Sequence, residues 1–268
     1  MALRIGIFGA TGRMGRRIVE LANADEDFEV AAGIEYPGHP GVGQTLGTLL
    51  GVSGLSAPLV GSLHKVINNV ECIIAFATPE ATVDCMRDAH ADRKPLVIGT
   101  TGLSEDQMAE IKRLSHHVPC LMAANMSIGI NIILAFSSRL ATLLNEDFDI
   151  EIIESHHNQK QDSPSGTALM LGEAIAEATN RTLRQCAVYG RRGNIGPRPK
   201  EEIGIHAIRG GDIAGDHTIL FAGQGERIEI THRAHSRDNF VRGALLAAKF
   251  ISNQPAGFYT MQDALKLK

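Results

Sequence analysis

The sequence predicts an α/β chain. A doubly wound parallel-sheet domain comes first, and a second, α+β domain with a mixed or antiparallel sheet follows. Three observations carry this reading. Short apolar runs alternate with amphipathic helical spacing through the first half. From Ile203 the pattern becomes strands joined by Gly-containing turns. Helical spacing returns at the C-terminal end.

Leu3–Phe8 is an apolar run ending at a glycine turn, and Arg13–Ala24 follows with Met14, Ile18, Leu21 and Ala22 at helical spacing. Phe28–Ile34 is the next strand and stops at Glu35; Cys72–Ala77 and Pro95–Ile98 repeat the theme. Ser104 and Gln107 have the spacing of a capping box that opens the helix Glu105–Ser115, and Pro119–Ala124 is a further strand. Between Tyr36 and Gly61 the chain is rich in Gly and Pro and too long for a simple connection. That segment reads equally as a mobile loop beside a cofactor or as a surface excursion.

After Asn125 the grammar changes. Ile128–Leu144 is one long amphipathic helix, Asp149–Ser155 a strand and Ser165–Thr179 another helix. Strand patterns follow at Ile203–Arg209, His217–Ala222 and Arg227–Ala234. The helical stretches Phe240–Ile251 and Met261–Leu267 are expected to pack back on the first domain, making it discontinuous. The expected division is 1–127 with 237–268 against 128–236.

Composition excludes several classes. At 44% hydrophobic, 21% charged and a net charge of −4, the chain lacks the basic excess that nucleic-acid or membrane-surface binding needs. No leader pattern opens it and no apolar run reaches the ~18 residues of a membrane span, so a cytoplasmic protein is expected. Cys72, Cys85, Cys120 and Cys186 have no paired spacing and read as reduced thiols rather than a disulfide or zinc framework.

The glycine turn after the first strand carries chemistry. Gly9, Gly12 and Gly15 lie between a strand and a helix, where backbone N–H groups and the positive helix end can face a pyrophosphate. Glu35 ends the second strand, where an acid accepts from adenosine ribose hydroxyls. Together these read as a Rossmann-like dinucleotide domain. The carboxylate repels a 2′-phosphate and the next residue is Tyr36, so NADH is expected to work at least as well as NADPH. Arg13, Arg16 and Arg17 remain within possible reach of a phosphate. Gly99, Thr100 and Thr101 follow one strand and Ala123, Ala124, Asn125 and Met126 another. Both turns should reach the carboxyl edge of the sheet, beside the nicotinamide.

The second domain opens with proton-transfer groups. His156 and His157 follow a strand, so their side chains should point to opposite sides and only one faces a given reacting atom. Lys160 is a mobile charge for an anion or a proton donor. Ser165, Gly166 and Thr167 start a helix whose N–H groups suit a carboxylate. A metal is not expected here, since adjacent histidines on opposite faces chelate poorly and no third ligand is spaced for it.

The loop Gly9–Gly15, Gly99–Thr101, Ala123–Ser127 and the stretch Glu154–Thr167 closely resemble the 4-hydroxy-tetrahydrodipicolinate reductase (dihydrodipicolinate reductase) family. The agreement extends through Arg209–His217 and Gly225–His232, over nearly the whole chain. The resemblance implies an NAD(P)H-dependent reduction in the diaminopimelate route to lysine, acting on a small cyclic dicarboxylate. It also implies a homotetramer assembled through the sheets of the second, substrate-binding domain. It makes His156 the proton donor/acceptor and Lys160 the proton donor. His157 and Gly166-Thr167 match substrate positions, with Ser165 beside them. Gly9, Ala10, Thr11, Gly12, Arg13, Met14, Glu35, Gly99–Thr101 and Ala123–Met126 match cofactor positions. Tyr36 departs from the family, many members of which carry arginine there.

Two rivals stand beside this reading. One is another dehydrogenase of a small carboxylate that shares only the nucleotide domain. The other is a non-catalytic NAD(H)-sensing protein, for which Lys160 would be indifferent.

Overall fold

The computed structural model describes residues 1–144 and 147–267. In chain order the elements are β1 (Leu3–Phe8), α1 (Arg13–Asn23), β2 (Phe28–Ile34), α2 (Leu46–Leu50), β3 (Leu59–Val60), β4 (Cys72–Ala75), α3 (Pro79–Ala91), β5 (Leu96–Ile98), α4 (Glu105–Ser115), β6 (Pro119–Met122) and α5 (Ile128–Leu144). They continue as β7 (Asp149–His156), α6 (Gly166–Ala178), α7 (Leu183–Cys186), β8 (Ala187–Tyr189), β9 (Ile203–Arg209), β10 (Asp216–Ala222), β11 (Arg227–Arg233), α8 (Asp238–Ile251), β12 (Gly257–Tyr259) and α9 (Met261–Ala264). The chain divides into two compact units, 1–128 with 240–268 and 129–239.

The first unit is built on a seven-stranded, all-parallel sheet in the order β12-β6-β5-β4-β1-β2-β3. Its strands read as continuous apolar runs because both faces are covered. Alternation sends Ile5, Ile7, Ile74, Val97 and Leu121 to a core shared with α1 and α8, whereas Ile73, Ala75, Leu96, Ile98 and Cys120 pack against α3 and α4. Order reverses between β1 and β4, the switch point outside which such sheets bind ligands.

The second unit carries a five-stranded mixed sheet in the order β11-β10-β7-β9-β8. β10 runs antiparallel to β7 and β11, while β9 is parallel to β7 and β8. Inward residues Ile150, Ile152, Ile205, Ile219 and Phe221 share one core with Ile130 and Ile133 of α5 and Leu171 and Ile175 of α6. The period-2 pattern of β7, alternately half-buried and buried, fixes which side chains face that core.

The segment Tyr36–Gly61 is no unstructured excursion. Thr45 caps α2 by accepting from the Thr48 N–H, and β3 pairs with β2. The helix over 79–91 was not among the expected elements. Its start is nevertheless signalled in the sequence: Thr78 accepts from the Ala81 N–H and Pro79 occupies the first turn.

Candidate active site

In the first unit the loop after β1 turns on Gly9, at φ +82°, where an added Cβ would lie 2.3 Å from the Phe76 carbonyl oxygen. Gly15 serves packing as well, because a Cβ there would sit 2.0 Å from the Gly9 carbonyl oxygen. Gly12 is the exposed one. It is the N-cap of α1, no side chain caps it, and no acid occupies the first turn. The positive end of an 11-residue helix is thus open to an anion, as a dinucleotide pyrophosphate requires.

Two cavities flank this loop. One of about 680 Å³ is bordered by Gly9, Thr11, Gly12, Glu35, Tyr36 and His39. The other, of about 400 Å³, is lined by Arg13, Met14, Gly99, Thr100, Thr101, Ala124, Met126 and Phe240. Phe76 borders both. Thr11 donates its N–H (2.9 Å) and its hydroxyl (2.7 Å) to Glu35 Oε1, which leaves Oε2 for a ribose hydroxyl. His39, not singled out from sequence, accepts the Gly41 N–H on Nδ1 at 3.1 Å and places Nε2 3.3 Å from the Thr11 hydroxyl. With Nδ1 an acceptor, Nε2 carries the proton and donates.

Three expected cofactor residues lie apart from these walls. Ala10 is fully buried in the core, Ala123 packs against the same core, and Asn125 Oδ1 accepts the Ser127 N–H at 2.9 Å. Thr100 lines the smaller cavity yet is committed inward. Its Oγ1 accepts the Ala77 N–H and bonds Thr82 Oγ1 at 2.7 Å, tying the loops after β4 and β5 together.

In the second unit the polar end of the β7 core face is a connected cluster. Glu154 and His156 are two apart on one strand, so both point inward, and both are buried. Glu154 Oε2 lies 2.6 Å from His156 Nδ1. Arg209 of β9 spans both carboxylate oxygens at 2.8 Å each, and the Ser165 N–H donates to Oε1 at 3.0 Å. Burial alone would raise the Glu154 pKa, but hydrogen bonds from Arg209, His156 and Ser165 outweigh it and hold the carboxyl below its ordinary range. His217, opposite Glu154 in the ladder, bonds Ser165 Oγ through Nε2 at 3.0 Å. Burial first, then the charges of its neighbours, pushes His217 down to about 4, so it is neutral at pH 7.

Lys160 Nζ pairs with Asp162 Oδ1 at 2.9 Å, and Arg209 reaches the Asp162 carbonyl at 2.6 Å. Lys160 and His156 therefore share the Arg209–Asp162 scaffold. Ser165 does not offer itself to a ligand. Its hydroxyl caps α6 through the Ala168 N–H and bonds His217, and its N–H is given to Glu154. Gly166 is exposed at the start of the same 13-residue helix, beside half-buried Thr167. His157 is the first residue past β7, and its N–H donates to the Ile213 carbonyl at 2.8 Å. Sequence alone did not assign Glu154, Arg209 or His217; the i, i+2 spacing of Glu154 and His156 was the one local signal.

A nucleotide-binding parallel sheet combined in one chain with a buried acid–base cluster serves hydride chemistry, which makes the chain a nicotinamide-nucleotide-dependent oxidoreductase. Comparison with known proteins narrows the class. The family model for the N-terminus of dihydrodipicolinate reductase matches residues 3–126, and that for its C-terminus matches 129–265. The chain is 46% identical over 267 residues to a 4-hydroxy-tetrahydrodipicolinate reductase of Burkholderia pseudomallei (strain 1710b), covering 100% of this chain and 99% of the relative. It is 44% identical over 266 residues to that of Syntrophobacter fumaroxidans, covering 99% and 100%. A dipicolinate-bound dihydrodipicolinate reductase from Paenisporosarcina sp. TG-14 shares the fold at a TM-score of 0.77 and 24% identity, covering 98% of this chain and 99% of that one. The chain belongs to the dihydrodipicolinate reductase family.

Proposed function

We propose that the chain reduces 4-hydroxy-tetrahydrodipicolinate to tetrahydrodipicolinate in the diaminopimelate route to lysine, using NADH or NADPH. The observation that carries this reading is the cluster His156–Glu154–Arg209–Asp162–Lys160 beside the exposed N-terminus of α6, in a chain of this family. The first unit is the dinucleotide-binding domain, and the second binds substrate and assembles the oligomer.

Gly12 and the open first turn of α1 hold the pyrophosphate, and Glu35 Oε2 the adenosine ribose. Arg13, Met14, Thr101, Ala124 and Met126 border the nicotinamide. Bound NADH or NADPH supplies the hydride. The overall change also removes one water and adds one proton, and the charge left on the ring needs an acid. The Lys160 ammonium, held ready by Asp162, attracts a substrate carboxylate and gives up a proton. His156 exchanges one through Nε2. Gly166 and Thr167 receive a second carboxylate at the positive end of α6. His157 contacts substrate from its own side of the loop.

A homotetramer fits the second unit, whose outer sheet face leaves Ile208 exposed. Its place in a biosynthetic route supports a cytoplasmic enzyme. None of the described helices is long and apolar enough to cross a membrane.

The test is nucleotide oxidation with substrate made in situ by condensing pyruvate with aspartate semialdehyde. Turnover that dipicolinate inhibits is expected. Absence of turnover with both NADH and NADPH would overturn the assignment and favour another small-carboxylate dehydrogenase.

A further inference from the structure

On the inner face of the second unit's sheet the Glu154 carboxylate has no access to water, its residue being 0% exposed. A carboxylate in that position is costly unless fully paired. It is paired by Arg209, by the Ser165 N–H and by His156 Nδ1. Arg209 turns both terminal nitrogens to Glu154 while its buried Nε has no partner among the described residues, so the guanidinium is oriented by this pair above its own satisfaction. An ionised carboxylate only accepts hydrogen bonds. The 2.6 Å bond to His156 therefore requires the proton on Nδ1.

We propose that Glu154 is a positioning residue that fixes His156 in the Nδ1–H tautomer, making Nε2 the atom that exchanges protons with substrate. This rests on the reductase reading of the site. The surroundings support it from every side. Nε2 borders Gly215, where a Cβ would come within 3.0 Å of it, so that edge of the ring is kept clear by the glycine. His217 packs edge-on against His156 at 5.2 Å between centroids and is neutral, so it brings no second proton to Glu154. His232, opposite His217 on β11, is likewise driven toward its neutral form by burial. Lys160 is occupied by Asp162, and Arg209 by Glu154 and the Asp162 and Ile208 carbonyls. None of these groups competes for Nδ1.

Replacing Glu154 by glutamine keeps size and removes the rule. An amide NH₂ in place of an oxygen donates to Nδ1, which moves the ring proton to Nε2 and leaves no lone pair there. The experiment is nitrogen NMR of the protein labelled with ¹⁵N-histidine, with His156 assigned by comparison to His156→Gln, alongside steady-state kinetics. In the wild type without substrate, Nδ1 is expected to be the protonated nitrogen of the neutral ring. In Glu154→Gln the proton is expected on Nε2, kcat falls about 10²–10⁴-fold, and NADH affinity stays unchanged. An Nε2–H tautomer in the wild type overturns the proposal even if the variant fails to fold. So does a variant that loses activity with the Nδ1–H tautomer retained, which marks a purely structural role. Wild-type protein without reductase turnover would count against the reductase reading alone, because the tautomer is read without substrate.

Discussion

Thr11 places two donors on one oxygen of Glu35, and His39 in turn donates toward the Thr11 hydroxyl. The carboxylate is thereby held just past β2 through one oxygen, which under the proposed function leaves the other to the ribose. NADH is expected to be used at least as well as NADPH. Glu35→Ala should raise KM for NADH about tenfold, the loss of one charge-assisted contact of about 1.4 kcal/mol, and change KM for NADPH less. A wild-type kcat/KM more than about tenfold higher for NADPH would contradict this arrangement.

Lys160 and Thr167 are predicted to separate kinetically. If Lys160 is the proton donor proposed above, Lys160→Ala should lower kcat by about 10²-fold or more. Thr167→Ala, on the proposed carboxylate-binding role, should mainly raise KM. Equal losses of kcat in both variants would show that the division is wrong.

Acid stability turns on Glu151, which lies on the opposite face of β7 from Glu154. It is ringed by Arg191, Arg198 and His206 at 2.6–3.0 Å. Burial opposes its ionisation, but the hydrogen bonds from Arg191, His206 and Arg198 more than reverse that and bring it down to about 2. A depressed carboxylate stabilises the fold above its unfolded pKa, and that contribution disappears as pH falls from about 4.5 to about 2. Its size is about 3 kcal/mol, at about 1.4 kcal/mol per pKa unit. Urea unfolding of Glu151→Gln should therefore lie well below wild type at pH 6 and approach it near pH 2. A gap that does not narrow would reject the linkage.

The thiols should be silent in the folded protein. Cys72, Cys85, Cys120 and Cys186 are free and buried, and burial pushes Cys72 and Cys120 up to about 12. A thiol-reactive disulfide reagent should label none of them at pH 8 until denaturant is added. Rapid labelling of the native protein would show a surface more open than these cores.

Legibility followed the physics of each signal. The strands of the first unit stand out because burial on both faces makes them apolar throughout, whereas β8 and β12 have three residues each and carry too little pattern to read. α3 was as legible as its neighbours, since Thr82, Val83, Cys85, Met86 and Ala89 recur at helical spacing behind the Thr78 cap, with Asp84, Arg87 and Asp88 on the other face. Within the site, His156 and Lys160 were visible as chemistry-bearing residues in a short stretch. Arg209 and His217 were not, because the parallel pairing with β9 and the antiparallel pairing with β10 bring them in across more than fifty residues. Ser165 misled for a related reason: a helix-starting serine looks available to a ligand until the register supplies His217 as its partner.

Phe76 stands as a party wall between the two cavities that flank the glycine loop, with its ring seated where a Cβ on Gly99 would lie 2.1 Å from Cζ. Neither room can be remodelled alone from this wall. A change made at this wall to recruit a different nucleotide at one end shifts the boundary of the other, and the backbone at Gly99 offers the ring nowhere to retreat. Evolution of cofactor choice in this chain would therefore run more freely through Tyr36 and His39, at the far wall, than through the aromatic in the middle.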